Sequence, residues 1–203
     1  MFNDKYGLTA AVLVGTKTQT RRIIPQSIVD ELYYAGFYGD FTDNLKQIII
    51  KNKSRYKVGE KVAVAQSYSD IFYSERRFES PEDEQAWNEF RNELRYYYDG
   101  NRGTEIAWKN KMFVRAEFMP HKIKITDIRV QRLQDISDED CLAEGIIKYT
   151  NGVYTYIENG KKIYRSRLGT PRAAYAELID KISGKGTWET NPLTFVYDFN
   201  ILK

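Results

Sequence analysis

The segment KIKITDIRVQRLQDISDEDCLAEGI, residues 122–146, contains the two patterns that decide the predicted fold. Its first half alternates apolar and charged residues, which is typical of a half-buried strand. The alternation shifts by one position near Asp127, so we expect a break in the register there. In the second half, Ser137 is a suitable N-cap for a short helix that ends at Gly145. The charged residues that we expect to face outward from the strand are Lys122, Lys124, Arg129 and Arg132.

Outward from this segment, capping residues and turn signals predict further helices and strands. Ser80 and Thr170 each precede a proline, so each is expected to begin a helix. Asn159-Gly160 is the preferred pair for a two-residue hairpin turn. The first of these helices is expected to end near Tyr98 and the second at Gly184. The remaining predictions are a helical segment over 5–14, a helix from Ser27 to near Gly36, a turn over 58–60 followed by a strand with Val62 and Val64, and strands over 111–118 and 193–202.

Short strands interrupted by helices predict an α+β fold. The arrangement that fits them is a small, mostly antiparallel β-barrel with helical insertions. A chain of 203 residues has the length of one domain. We therefore expect a single domain over 1–203, with helical insertions at about 27–55 and 69–110.

The composition excludes several classes of protein. The chain is 42% hydrophobic and 29% charged, which fits a folded globular domain, and its net charge of +3 is too small for a uniformly basic surface. One cysteine and one histidine argue against a disulfide framework or a zinc site, and they predict a cytoplasmic protein without a bound metal or cofactor. We find neither a signal peptide nor an apolar run of the roughly 20 residues that a membrane span needs, so no membrane association is expected.

Two groups of residues are candidates for chemistry. The segment GTKTQTRRII, residues 15–24, holds Lys17 with Arg21 and Arg22 close by, and neighbouring cations lower the pKa of a lysine. Lys17 and Thr20 are three positions apart, so we expect one helical turn or a tight loop to place them side by side. Glu144 ends the short helix, where the helix dipole disfavours a carboxylate, so it needs a cation partner or a chemical role. The three acids at 138–140 lie in the first turn, where they complement the dipole.

Four segments resemble the ASCH family, in the phage-associated branch of the PUA-like superfamily. They are GTKTQTRRII, YKVGEKVAV, RVQRLQDISDEDCLAEGI and GKGTWETNPLTFVYDF, and the resemblance covers over half of the chain. It implies a PUA-like β-barrel with a cleft for RNA or modified nucleotides. It also implies an activity, because one compact bacterial branch of the family is an amidohydrolase that removes the acetyl group from N4-acetylcytidine.

The amidohydrolase branch uses a Lys and a Thr of a GxKTxT segment together with a Glu after the LQDIS block. Carried over to this chain, the resemblance implies Lys17, Thr20 and Glu144 as catalytic residues. The substrate-binding residues that we expect are Thr18, Arg21, Arg22, Gln66 and Trp108. Two features depart from the compact enzymes: two arginines follow the second Thr, where those enzymes have an apolar residue and one arginine, and this chain is much longer.

Three functions therefore stay open at this point. The first is an amidohydrolase that acts on N4-acylated cytidine or a similar modified nucleoside. The second is a non-catalytic module that binds RNA or a modified nucleotide, with Lys122, Lys124, Arg129 and Arg132 as its nucleic-acid-binding residues. The third is a ribonuclease that uses the same cleft. In each case the expected partner is a nucleoside or RNA, and the sequence does not predict the oligomeric state.

Overall fold

The structure is a computed structural model that describes residues 2–34, 42–73, 80–100, 109, 111, 114, 116, 119–149, 152–163 and 169–202. Its fold is α+β, as predicted, with a curled antiparallel sheet and several helices. The sheet contains β1 (Gln19–Ile23), β2 (Lys61–Ala63), β3 (Lys122–Arg132) and β8 (Leu193–Leu202). Their order is β1–β8–β3–β2, and the expected barrel takes the form of a half-barrel.

Helices and two small hairpins complete the described elements. The helices are α1 (Leu8–Leu13), α2 (Gln26–Tyr34), α3 (Asp43–Lys53), α4 (Tyr68–Phe72), α5 (Pro81–Gly100), α6 (Asp138–Ala143), α7 (Pro171–Ser183) and α8 (Thr187–Thr190). The hairpins pair β4 (Ile147–Lys148) with β5 (Tyr154–Thr155), and β6 (Ile157–Glu158) with β7 (Lys161–Lys162). Short 3-10 turns cover Asp4–Tyr6 and Leu133–Asp135.

The chain divides into two compact units. The first comprises Met1–Phe2 and Ala63–Lys122, and the second comprises Asn3–Val62 and Ile123–Lys203. The expected insertion at 69–110 belongs to the first unit, and the one at 27–55 belongs to the second. The single domain expected over the whole chain stays a prediction.

The first unit has its own apolar cluster. α4 begins with a capping box, in which Ser67 and Asp70 exchange hydrogen bonds. α5 begins at Pro81, as predicted from the cap and the proline. The strand predicted over 111–118 lies largely outside the described residues. The buried side chains of the cluster are Ile71, Trp87, Leu94, Val114 and Met119.

Local signals set the element boundaries of the second unit. Ser137 caps α6 by accepting a hydrogen bond from the amide of Asp140, and Thr170 caps α7 in the same way. Asn159 and Gly160 have positive φ angles of 51° and 75°, as the predicted hairpin turn requires. These three predictions are confirmed.

α2 starts earlier than the sequence predicts. The carbonyl of Pro25 accepts a hydrogen bond from the amide of Ile28, so the helix includes Gln26 and the expected cap Ser27 lies inside it. The prediction of Ser27 as an N-cap is therefore wrong. The end expected at Gly36 lies outside the described residues.

β3 places the apolar core of the second unit on one side of the sheet. Its buried residues are Ile123, Ile125, Ile128 and Val130, and full burial of one such side chain contributes about 1.5–3 kcal/mol. Thr126 and Asp127 are exposed in succession, which confirms the predicted register break. β8 lies between β1 and β3 and is buried from Leu193 to Tyr197. The central position of β8 fixes β1 at the edge of the sheet.

Candidate functional site

Lys17 is buried immediately before β1. Its side chain is 1% exposed. Nζ donates hydrogen bonds to Glu144 Oε2 at 2.6 Å, to the Glu144 carbonyl at 2.7 Å and to the Gln19 carbonyl at 2.7 Å. A charged lysine has three N–H donors, so each of them has an acceptor here. The structure thus joins Lys17 and Glu144, two of the three residues that the resemblance implies as catalytic.

Backbone hydrogen bonds bring Glu144 to this position. α6 ends at Ala143, whose carbonyl accepts a hydrogen bond from the amide of Thr18 at 2.9 Å. The carbonyl of Thr18 accepts in turn from the amide of Phe199 at 2.8 Å. Glu144 is the C-cap residue of α6, where the dipole disfavours a carboxylate. The ammonium of Lys17 offsets this cost, so the structure supplies a cation partner, which is one of the two explanations that the sequence leaves open.

Arg21 extends the pair into a buried polar network. Its side chain is 1% exposed and donates to Asp140 Oδ2 at 2.7 Å, to Glu144 Oε1 at 3.4 Å and to Gln131 Oε1 at 3.3 Å. It also donates to Gln19 Oε1. Its Nε is buried and has no hydrogen-bond partner among the described residues. We define the charged centre as Lys17, Gln19, Arg21, Asp140 and Glu144.

Gln19, a member of the charged centre, also contacts the ion pair of Asp198 and Arg129. Its Nε2 donates to Asp140 Oδ1 at 2.9 Å and to Asp198 Oδ1 at 2.7 Å. Asp198 lies opposite Gln19 in the β1–β8 register and accepts a hydrogen bond from Arg129 Nη1 at 2.5 Å. Arg129 also contacts Asp127 at 3.2 Å. Carboxylates therefore offset the charge of Arg129, which the sequence predicts as an outward cation.

The other members of the predicted nucleic-acid-binding row are exposed. Lys122, Lys124 and Arg132 all have exposed side chains, and Arg132 donates a hydrogen bond to the carbonyl of Asn191 at 3.3 Å. Because Arg129 is held by carboxylates, the row does not form a uniformly basic strip. Its role in binding nucleic acid stays a prediction.

Thr20 and Arg22 lie on the opposite face of β1 from Arg21, because successive side chains of a strand alternate. Thr20 is opposite Tyr197 and is 8% exposed, whereas Arg22 is exposed. The chain between Lys17 and Thr20 forms neither a helical turn nor a tight loop but enters the strand. That local expectation is wrong, because pairing with β8 holds the segment extended.

The remaining predicted substrate-binding residues lie in different parts of the chain. Thr18 is exposed, and its backbone links α6 to β8. Gln66 belongs to the first unit; it is buried, and its Oε1 has no hydrogen-bond partner within the described parts of the chain. Trp108 lies outside the described residues. Substrate contacts of these three residues stay predictions.

The electrostatics of the charged centre favour proton transfer. Burial lowers the pKa of Lys17 below the 10.5 of an ordinary lysine; the carboxylate of Glu144 opposes this shift, and the charges of Arg22 and Arg21 reinforce it. The neutral and charged forms of Lys17 are therefore closer in free energy than those of a surface lysine. With Nζ and Oε2 only 2.6 Å apart, the pair can take up a proton and return it, as general acid–base catalysis requires.

The thiol of Cys141 is another group that could act as a nucleophile near Glu144 in the sequence. Cys141 is fully buried in α6. Burial raises the pKa of its thiol to about 12, and the charge of Arg21 only partly opposes this shift. The thiol therefore stays protonated at neutral pH, and a protonated thiol is a poor nucleophile.

Asp140 is expected to make the stability of the protein depend on pH. Burial opposes ionisation of its carboxyl, but hydrogen bonds from Gln19 and Arg21 outweigh it and lower the pKa below the usual 3.8. Its stabilising contribution is therefore complete above about pH 4 and is lost as the pH falls through the lowered pKa. We expect Asp140→Asn to reduce the free energy of unfolding by about 1–3 kcal/mol at neutral pH, and by less at about pH 3.

Urea unfolding of the two proteins at both pH values measures this difference. Asp138→Asn is the matched control, because Asp138 lies in the same helical turn and is exposed. Equal effects of the two substitutions, or an effect of Asp140→Asn that does not change with pH, would contradict this role of Asp140.

Sequence reasoning missed part of the charged centre. Asp140 lies in the first turn of α6 as expected, but its carboxylate also binds Arg21 and Gln19, so complementing the dipole is an incomplete explanation. The sequence does contain one signal for Gln19. A period of two relates Lys17, Gln19 and Arg21, so an extended segment would place Gln19 on the same face as both cations. Asp198 has no such local signal, because its contact with Gln19 depends on the register of β1 and β8.

Comparisons with known proteins do not assign a family. No protein-family model, no curated protein and no solved structure matches the chain. In the described residues, no helix is both long and apolar enough to cross a membrane, and no group of three or more His, Cys, Asp or Glu side chains is arranged to hold a metal ion. The ASCH resemblance, the cytoplasmic location and the cofactor-free state therefore stay predictions from the sequence.

Proposed function

We propose that the chain is a PUA-like amidohydrolase of the ASCH type, which removes the acyl group from N4-acylated cytidine or a similar modified nucleoside. The observation that carries this proposal is the buried pair of Lys17 and Glu144, whose Nζ and Oε2 atoms are 2.6 Å apart. Burial lowers the pKa of Lys17, so the pair is suited to moving a proton. The curled half-barrel sheet is compatible with this fold family.

Hydrolysis of the N4-acyl amide forms one bond and breaks one. The oxygen of a water molecule bonds to the acyl carbon, and one proton of that water passes to the pair of Lys17 and Glu144. The bond between the acyl carbon and N4 then breaks, and the pair returns the proton to N4, which becomes the amino group of cytidine. The other product is a carboxylic acid, which ionises at neutral pH. Water is the only co-reactant that this scheme needs.

Three residues of β1 are assigned supporting roles in this scheme. Arg22 is exposed on the opposite face of β1 from Arg21, and its charge helps to lower the pKa of Lys17, so we assign it an electrostatic effect on Lys17. Arg21 is buried beside Glu144 and is assigned to hold that carboxylate in place. Thr20 lies on the same face of β1 as Arg22, and the ASCH resemblance implies it as a catalytic residue without fixing its role.

Incubation of the purified protein with N4-acetylcytidine, followed by chromatography, tests this proposal. We expect cytidine and acetate to form in equal amounts, at a rate proportional to the protein concentration. N4-methylcytidine is the control, because it has no acyl carbon for water to attack and is expected to stay unchanged. Absence of cytidine at every protein concentration would contradict an amidohydrolase acting on this nucleoside.

Assays with RNA on the same purified protein test the two other functions, namely RNA binding and RNA cleavage. RNA binding that weakens with added salt and with loss of Lys122 and Lys124, without any cytidine formed, would favour a binding module. Cleavage of the RNA strand would favour a ribonuclease. Neither result is expected if the buried pair acts on an amide.

A further inference from the structure

An apolar cavity lies beside the charged centre, within the second unit. Its volume is about 190 Å³, and its walls come from α1, from the segment that follows α6 and from β6. Gly145 is part of one wall and packs on Lys17, because a Cβ atom at this position would lie 3.8 Å from Lys17 Cδ. The apolar side chains that define the cavity include Ala10, Ala11, Val14, Ile146, Ile147 and Ile157.

A lysine and a tyrosine neighbour two residues of the cavity wall, although neither of them lines the cavity itself. Ile157 lies directly opposite Lys162 in the hairpin of β6 and β7, so their side chains share a face. Ile147 and Tyr149 are two positions apart on an extended segment and share a face for the same reason. Lys162 and Tyr149 contact each other, with Nζ 5.0 Å from the centre of the ring. The two alternations therefore place this ammonium and this phenol on the same faces as Ile157 and Ile147, which line the cavity.

The acidic residue of the same hairpin does not neutralise Lys162. Glu158 neighbours Ile157 in β6, so its side chain points to the other face. It pairs there with Lys181 at 2.5 Å and with Lys5 at 3.5 Å. Lys162 itself is exposed. An apolar cavity with a cation near its wall is complementary to an apolar chain that carries a negative charge at its end.

We propose that this cavity binds a medium-chain carboxylate, with the alkyl chain among the apolar side chains and the carboxylate against Lys162 and Tyr149. An apolar cavity of roughly 150 Å³ is known to hold a benzene molecule. The cavity of about 190 Å³ therefore fits a chain of about six to eight carbons. Burial of the chain supplies the affinity, and Lys162 selects the anion. This inference does not rest on the proposed hydrolysis.

Isothermal titration with octanoate, acetate and octylammonium separates the contributions of chain and charge. We expect octanoate to bind at least about tenfold more tightly than either of the other two, since acetate lacks the chain and octylammonium has the wrong charge. Ala11→Phe fills the cavity and is expected to abolish binding of octanoate. Thermal unfolding checks that this variant folds.

Lys162→Gln tests the charge without filling the cavity. It is expected to weaken octanoate binding by about tenfold and to leave the binding of octan-1-ol unchanged. Lys161→Gln is the matched control, because Lys161 is the exposed neighbour and lies opposite Glu158. Octanoate binding no tighter than that of octylammonium, or equal effects of the two lysine substitutions, would overturn the proposal. Because no nucleoside is present, failure here is distinct from failure of the hydrolysis.

Discussion

Replacement of Lys17 by Met is expected to lower the rate of N4-acetylcytidine hydrolysis by about 1000-fold, which is a typical loss for a group that transfers protons in the transition state. Met fills much of the space of the lysine stem but has no amine. The pair then cannot pass a proton between Nζ and Glu144 Oε2, which are 2.6 Å apart in the native protein. Initial rates of cytidine formation, measured by chromatography, give the ratio directly.

Lys61→Met is the matched control for this variant. Lys61 is an exposed lysine of β2, so its loss is expected to leave the rate within about twofold of the native value. Circular dichroism of both variants shows whether they fold. Hydrolysis at the native rate by folded Lys17→Met would remove Lys17 from the mechanism, and an equal loss in both variants would argue against a specific role.

Glu144→Ala is expected to reduce the free energy of unfolding by about 3–5 kcal/mol, because it leaves a buried ammonium without its counter-ion. The side chains of Lys17 and Glu144 are 1% and 6% exposed, so water cannot replace the lost carboxylate easily. Two of the three acceptors of Nζ would stay, namely the carbonyls of Glu144 and Gln19. Carbonyl dipoles stabilise a buried charge less than a carboxylate does. Urea unfolding at neutral pH measures the loss.

A double variant shows whether the cost comes from the unpaired charge. In Lys17→Met with Glu144→Leu, both charges are replaced by apolar side chains, and most of the lost stability is expected to return. Glu139→Ala is the control, because Glu139 is an exposed acid of the same helix and its loss is expected to change stability by less than about 0.5 kcal/mol. If the effects of Lys17→Met and of Glu144→Leu, each measured alone, simply add up to that of the double variant, the pair is not coupled.

The helix and turn boundaries that the sequence predicts correctly are those set by nearby residues. Ser137 and Thr170 accept hydrogen bonds from amides three positions later, and Asn159-Gly160 adopts the positive φ angles of its turn. Each of these interactions closes within one turn of chain, so residue type and spacing are sufficient to predict it. The break in β3 near Asp127 is also visible in the sequence, because burial on one face requires strict alternation elsewhere.

The charged centre was only partly predictable, because its contacts are long-range. The residue type and helix position of Glu144 indicated that it needs a cation partner or a chemical role, but nothing local showed that the cation is Lys17. Arg129 was expected only to face outward. Its partner Asp198 is on another strand, so the contact depends on the order of strands in the sheet. Gln19 connects the charged centre with the pair of Arg129 and Asp198 through a side-chain amide that can both donate and accept hydrogen bonds. Nothing in the composition of a sequence indicates such a bridging role.

The register of β1 and β8 also has a consequence for how the protein is made. Lys17 and Glu144 are 127 positions apart, and Gln19 and Asp198 are 179 positions apart. During translation β1 leaves the ribosome long before β8 has been synthesised, so its cationic segment must stay unpaired while the rest of the chain follows. Contacts between such distant positions are slow to form. The contact of Gln19 with Asp198 can therefore form only after β8 has been synthesised, and it is expected among the last steps of folding of the second unit.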